Sequence, residues 1–87
     1  MKVDLHSHSY YSDGVYSPSE VIELANQVKC DLFSLTDHDT TVGVLEAQER
    51  ADDLSLNFIP GVEISAIWRN MTIHILGLDI NVNNELL

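Results

Sequence analysis

Asp4-Leu5-His6-Ser7-His8-Ser9-Tyr10-Tyr11-Ser12-Asp13-Gly14 is the stretch on which the fold reading turns. It continues an apolar run, Lys2-Val3-Asp4-Leu5, so that Lys2 to His6 reads as a short buried strand running into a Ser/Tyr/Asp/Gly loop. Two histidines follow at i and i+2, then an aspartate five residues on. In extended backbone, residues i and i+2 project to the same face. His6 and His8 can therefore hold one cation between their imidazoles. On their own they read as well as two unrelated surface histidines, and the rest of the chain decides between the two.

Outward from this stretch the order of elements is regular. Ser17-Pro18-Ser19-Glu20 is a capping box with proline at the first helical position. It predicts a helix to about Lys29, with Val21, Ile22, Leu24, Ala25 and Val28 as its apolar stripe. Asp31 to Thr36 reads as a second strand, broken by the polar cluster Asp37-His38-Asp39-Thr40-Thr41. Thr40 or Thr41 is expected to cap a second helix, running to about Asp53 with Val44, Leu45, Ala47, Ala51 and Leu54 buried. Leu56 to Pro60 reads as a third strand leading into Gly61-Val62-Glu63-Ile64-Ser65. A fourth strand, Thr72 to Leu78, is expected after a turn around Arg69-Asn70. Strand–helix–strand–helix–strand–strand is the grammar of an α/β fold with parallel strands. Each candidate ligand except His74 falls at or just after the end of a strand, the rim where such folds place their chemistry.

Composition narrows the function classes. Fourteen acidic residues against four basic ones give a formal charge of −10, the opposite of a duplex-DNA binder. Glu20, Glu23, Glu46, Glu49, Asp52 and Asp53 are explained as solvated helix faces. Asp4, Asp13, Asp37, Asp39 and Glu63 instead cluster around histidines, and two or three divalent cations would offset much of their charge. No apolar run approaches the roughly 20 residues of a membrane span. The single cysteine, Cys30, excludes an internal disulfide and fits a reducing, cytoplasmic setting. It is expected in the core. The 87 residues are enough for one small domain but well short of the ~250 residues of a complete α/β barrel.

All four histidines, His6, His8, His38 and His74, are candidate ligands, with Asp13 and Glu63 the acids best placed to join them. Imidazole with carboxylate and no thiolate suits zinc, iron or manganese. Six ligands are too many for one tetrahedral ion, so two or three ions are expected, Glu63 being able to bridge a pair. Asp4, Asp37 and Asp39 are expected to orient the imidazoles. Pro60-Gly61 reads either as a sharp turn with close backbone approach or as ordinary loop punctuation. Ser7, Ser9, Ser12 and Ser65 are expected to supply loop and strand polarity. Tyr10, Tyr11 and Tyr16 are expected to pack under the loop, with a base pocket as the alternative. Arg69 is read as a turn residue, although it could touch a phosphate. Trp68, Met71 and Phe58 are expected in the core.

Four segments in order carry a family resemblance: Asp4-Leu5-His6-Ser7-His8 with Ser12-Asp13-Gly14, Thr36-Asp37-His38-Asp39-Thr40, Pro60-Gly61-Val62-Glu63-Ile64-Ser65, and His74-Ile75-Leu76-Gly77-Leu78. They resemble successive motifs of the PHP (polymerase and histidinol phosphatase) domain phosphoesterases. The form and spacing are most similar to the stand-alone TrpH-type members, which include nucleoside 3′,5′-bisphosphate phosphatases and the 5′→3′ exoribonuclease RNase AM. The resemblance implies a distorted (βα)7 barrel with metals at its rim, of which residues 1–87 would be the N-terminal portion, about the first half. It implies that His6 and His8 hold one ion, that Glu63 bridges it to a second bound by His74, and that Asp13 and His38 hold a third. His8, His38 and Glu63 would then stand at the catalytic centre. The family's later metal-binding histidine, its C-terminal Asp-x-His and its later substrate-phosphate residues have no counterpart here. The chain is accordingly expected to be part of a longer enzyme.

The implied reaction is hydrolysis of a nucleotide phosphate ester or a short RNA 5′ end by a hydroxide held on the metal ions, with no Ser or Cys nucleophile. The substrate would be a small phosphate ester or short oligonucleotide, with no duplex DNA and no membrane as partner. A second reading keeps the metals and changes the substrate to histidinol phosphate or a DNA 3′ end. A third is a truncated, inactive metal-binding module that docks on another chain.

Overall fold

The computed structural model describes residues 1–80, apart from the side chain of Trp68. Its elements come in the expected order: β1 (Val3–Asp4), α1 (Pro18–Gln27), β2 (Leu32–Phe33), α2 (Val44–Leu54), β3 (Gly61–Trp68) and β4 (Met71–Leu78). β1 and β2 pair in parallel across the α1 crossover, Val3 opposite Leu32 and Asp4 opposite Phe33. β3 and β4 form an antiparallel hairpin running from Gly61 opposite Leu78 to Trp68 opposite Met71. Isolated parallel bridges, Phe33 to Phe58 and His38 to Glu63, carry the pairing from the β2 segment to the chain entering β3.

The first two strands are shorter than the sequence suggests because side chains take over the ladder. After Asp4, the Ser7 N–H donates to Thr36 Oγ1 and the Ser7 hydroxyl to the Ser34 carbonyl. The Thr36 N–H still donates to the Ser7 carbonyl at 2.7 Å, so the two segments stay parallel without regular pairing. The expected third strand at Leu56–Pro60 reduces to one bridge at Phe58. Pro60 has no N–H to extend a ladder. Regular pairing resumes beyond it, where the Glu63 N–H donates to the Asp37 carbonyl. Glu63 consequently lies inside β3 rather than at a strand end.

Helix α1 starts as predicted. The Ser17 hydroxyl accepts from the Glu20 N–H, and the Glu20 carboxylate accepts from the Ser17 N–H. Val21, Ile22 and Ala25 are buried, whereas Leu24 and Val28 of the expected stripe are exposed. Helix α2 corrects the expectation of a threonine cap. Thr40 Oγ1 accepts from Val42 N–H in a turn before the helix, and the N-cap is Gly43, which makes no side-chain bond. Gly43 is packed so closely that a Cβ there would stand 2.8 Å from Pro18 Cγ. Leu45, expected to be buried, is exposed. Ser19 reaches Glu46 and Glu23 reaches Arg50, so the two helices lie side by side and run in the same direction.

Between helices and strands sits a core of Val21, Ile22, Ala25, Phe33, Leu35, Ala47, Ala51 and Leu56, with Cys30, Leu54 and Phe58 partly buried against it. Met71 is exposed instead of buried. Trp68 as a core side chain falls outside the described residues. The β3–β4 hairpin turns at Arg69 and Asn70, both at positive φ (51° and 63°), as a two-residue I′ turn requires. Much of the hairpin's apolar surface is bare, with Ile67 81% exposed. Among the described residues no helix is long and apolar enough to cross a membrane. Ile22 is fully buried, so Ile22→Ala should cost about 2–5 kcal/mol in chemical denaturation of the full-length protein. A loss below about 0.5 kcal/mol, the range of surface substitutions, would contradict this packing.

Candidate metal centre

Glu63 is 4% exposed, and its carboxylate is the point where four segments of the chain meet. Its backbone is fixed on both sides by the segment that carries His38: Glu63 N–H donates to the Asp37 carbonyl and Asp39 N–H donates to the Glu63 carbonyl. Oε1 lies 3.0 Å from His6 Nε2, 2.8 Å from His8 Nε2 and 3.4 Å from His38 Nδ1. Oε2 lies 3.0 Å from His74 Nδ1. His74 reaches it because Ser65 is opposite His74 in the hairpin, which puts Glu63 and His74 diagonally on one face.

Asp13 closes the other side of the cluster. Its Oδ1 makes a short contact with His8 Nδ1, and its Oδ2 lies 3.1 Å from His38 Nε2. His6 and His8 bring their Nε2 atoms to 3.2 Å of one another, on one side of the chain as the i, i+2 spacing predicts. All six sequence-predicted ligands therefore converge. They form three groups whose ligand atoms lie within 4.8 Å of one another: His6, His8 and Glu63; His8, Asp13 and His38; and His38, Glu63 and His74. His8, His38 and Glu63 each belong to two of these groups.

The donor set fits divalent cations. Two donors each about 2.1 Å from a shared tetrahedral ion stand about 3.4 Å apart, close to the spacings around Glu63. Imidazole and carboxylate, with no thiolate among them, is the donor chemistry of zinc, iron and manganese. The thiol of Cys30 is elsewhere, directed at the carbonyls of Lys2 and Leu32.

The remaining acids play a part the sequence did not disclose. Asp4, Asp37 and Asp39 contact no imidazole. Asp4 accepts from the His6 backbone N–H, Asp39 from the Ser65 N–H, and Asp37 from Ser9 and Ser12. They hold backbone and loops in place. Ser7, Ser9 and Ser12 serve as loop polarity, their hydroxyls donating to the Ser34 carbonyl or to Asp37. Tyr10, Tyr11 and Tyr16 are about half exposed, so they do not pack under the loop. Gly61 is a point of close approach, since a Cβ there would stand 2.6 Å from Ser34 Oγ. Gly14 has no room for a side chain either, because a Cβ would collide with the His8 carbonyl.

A model of the PHP domain matches residues 4–84, and the chain belongs to that family. It is 43% identical over 86 residues to the 5′-3′ exoribonuclease Rnm of Escherichia coli, covering 97% of this chain and 29% of that protein. It is 46% identical over 79 residues to a 3′,5′-nucleoside bisphosphate phosphatase of Chromobacterium violaceum, covering 91% of this chain and 28% of the relative. The structure of an amidohydrolase from the same organism, with bound sulfate and no metal, superposes with a TM-score of 0.94 at 43% identity. That match takes in 97% of this chain and 30% of the other. The chain thus spans a little under a third of the length of these relatives, and its α/β architecture is that of one part of their fold.

The two carboxylates have pKa values set by these contacts. Burial alone would push Glu63 up, but hydrogen bonds from His6 and His8 and the charges of His38 and His6 outweigh it and hold the group below its ordinary value. The His8 hydrogen bond holds Asp13 down, against its partial desolvation. A carboxyl lowered in the folded state contributes stability that is complete above its unfolded pKa and is lost as pH falls through the folded one. In chelator-treated full-length protein, the melting temperature should therefore drop as pH is lowered through and below about 4, the ordinary carboxylate range. Glu63→Gln should flatten that dependence. An unchanged slope in the variant would show that Glu63 is not held by the imidazoles.

Proposed function

We propose that this chain supplies metal-ligating residues of a phosphoesterase acting on nucleotide phosphate esters or short RNA 5′ ends. The observation that carries this reading is the buried Glu63 carboxylate met by all four histidines within 3.4 Å. Such a group needs compensation for its lost hydration, and imidazole nitrogens gathered around it are suited, once deprotonated, to sharing cations with it. His6, His8 and Glu63 would hold one ion, His74 with Glu63 and His38 a second, and Asp13 with His38 and His8 a third. Two or three ions of manganese, iron or zinc fit this set. Bound there, they would act as Lewis acids toward water and the phosphate oxygens.

The residues of the chain set up the rest. The Glu63 carboxylate is arranged to bridge, Oε1 facing three imidazoles and Oε2 the fourth. The Asp13 side chain is 61% exposed against 5% for Glu63, so Asp13 marks the more accessible side of the cluster. Cations there would reverse the repulsion that a chain of net charge −10 exerts on a phosphate. Ser and Cys nucleophiles have no part in this reading: Ser9 is buried on Asp37, and the Cys30 thiol is directed at the carbonyls of Lys2 and Leu32.

We further propose that residues 1–87 are the N-terminal portion of a single PHP domain, whose remainder adds strands and the missing ligands. The exposed apolar hairpin, and relatives about three times as long, support this.

The test uses the full-length protein, with metal content measured beside hydrolysis of a nucleoside 3′,5′-bisphosphate, a 5′-phosphorylated RNA oligonucleotide and histidinol phosphate. Bound metal with turnover of the first two is expected. His8→Ala should lower turnover by more than the 10–100-fold that loss of an outer hydrogen-bond partner costs, with the fold kept. Preference for histidinol phosphate would change the substrate assigned, and metal without any turnover would make the protein a binding module. Full activity in His8→Ala would refute the site.

A further inference from the structure

Asp37 is 1% exposed and lies next to a proposed ligand, yet it contacts no imidazole. Its carboxylate accepts three hydrogen bonds from the preceding loop: from Ser9 N–H at 2.5 Å, from the Ser9 hydroxyl at 2.6 Å and from the Ser12 hydroxyl at 2.9 Å. Ser9, fully buried, is in turn the post on which that loop is wound. Its carbonyl accepts from Ser12 N–H and Gly14 N–H, and its hydroxyl accepts from Tyr11 N–H. Between Ser12 and Gly14 sits Asp13, an exposed side chain that nonetheless meets both His8 and His38. Contacts made by an exposed carboxylate fix little by themselves. The precision must come from the backbone that carries it.

We propose that Asp37 is the positioning residue for Asp13: it ties the Ser9–Gly14 loop to the segment bearing His38 and so sets the spacing of the His8–Asp13–His38 group. Its effect on metal rests on the reading given under Proposed function, while its effect on the loop does not. Space around it is closed as well, since a Cβ on Gly43 would stand 3.3 Å from Asp37 Oδ2. The loop takes its register from this buried carboxylate.

Asp37→Ala, Asp37→Asn and Ser12→Ala are compared with the parent in the full-length protein, by amide hydrogen exchange and by titration with Zn²⁺ alone. In Asp37→Ala the amides of Tyr11, Ser12 and Gly14 should exchange faster, while those of α1 and α2 keep the parent rates. Zn²⁺ affinity at one site should fall about 10–100-fold, the cost of losing a group that orients a ligand, with the remaining sites unchanged. Asp37→Asn, which keeps one acceptor oxygen and the buried shape, should lose less on both readouts, and Ser12→Ala should resemble it. Loop exchange at the parent rate, or exchange raised equally in both helices, would overturn the proposal. So would equal weakening of every Zn²⁺ site. A parent that binds no Zn²⁺ would refute the metal reading instead, and the exchange rates would still decide the role of Asp37.

Discussion

A carboxylate taken out of water must be matched where it stands, and in this fold the matching groups for Glu63 come from three other segments of the chain. Left unmatched, such a buried charge would cost several kcal/mol or take up a proton. The exit of β1, the exit of β2, the middle of β3 and the middle of β4 must therefore meet at one edge. The parallel bridge between His38 and Glu63 shows how the backbone meets that demand, with both amide groups of Glu63 paired to neighbours of His38.

The same constraint explains what is irregular. The β1 and β2 strands stop after two paired residues, and the chain beyond them carries the imidazoles that meet Glu63. Ser7, Thr36 and Asp39 then satisfy backbone groups that a regular ladder would have satisfied. Gly14 and Gly61 mark points where backbones or side chains approach too closely for a Cβ. Asp4, Asp37 and Asp39, expected from the sequence to orient the imidazoles, instead hold this distorted edge in shape.

Most of the site was legible because histidine and acid spacing is local information. His6 and His8 share a face by strand geometry, and the turn at Arg69-Asn70 sets the diagonal that delivers His74 to Glu63. The α1 boundary was legible for the same reason, since a capping box states it outright. What failed depended on contacts between distant residues. Nothing in Thr40-Thr41 reveals that Gly43 is squeezed against Pro18, delaying α2 to Val44. Nothing local to Asp37 shows that its partners are Ser9 and Ser12 rather than an imidazole. The half-exposed tyrosines and bare hairpin likewise reflect packing that no short window of sequence encodes.

The most direct measurement is anomalous diffraction from crystals of the full-length protein grown with manganese or zinc. The account predicts metal peaks within coordination distance, about 2.0–2.2 Å, of His6, His8 and Glu63, and further peaks where His38 joins Asp13 and His74 joins Glu63. Anomalous density elsewhere, with no ion touching Glu63, would contradict it.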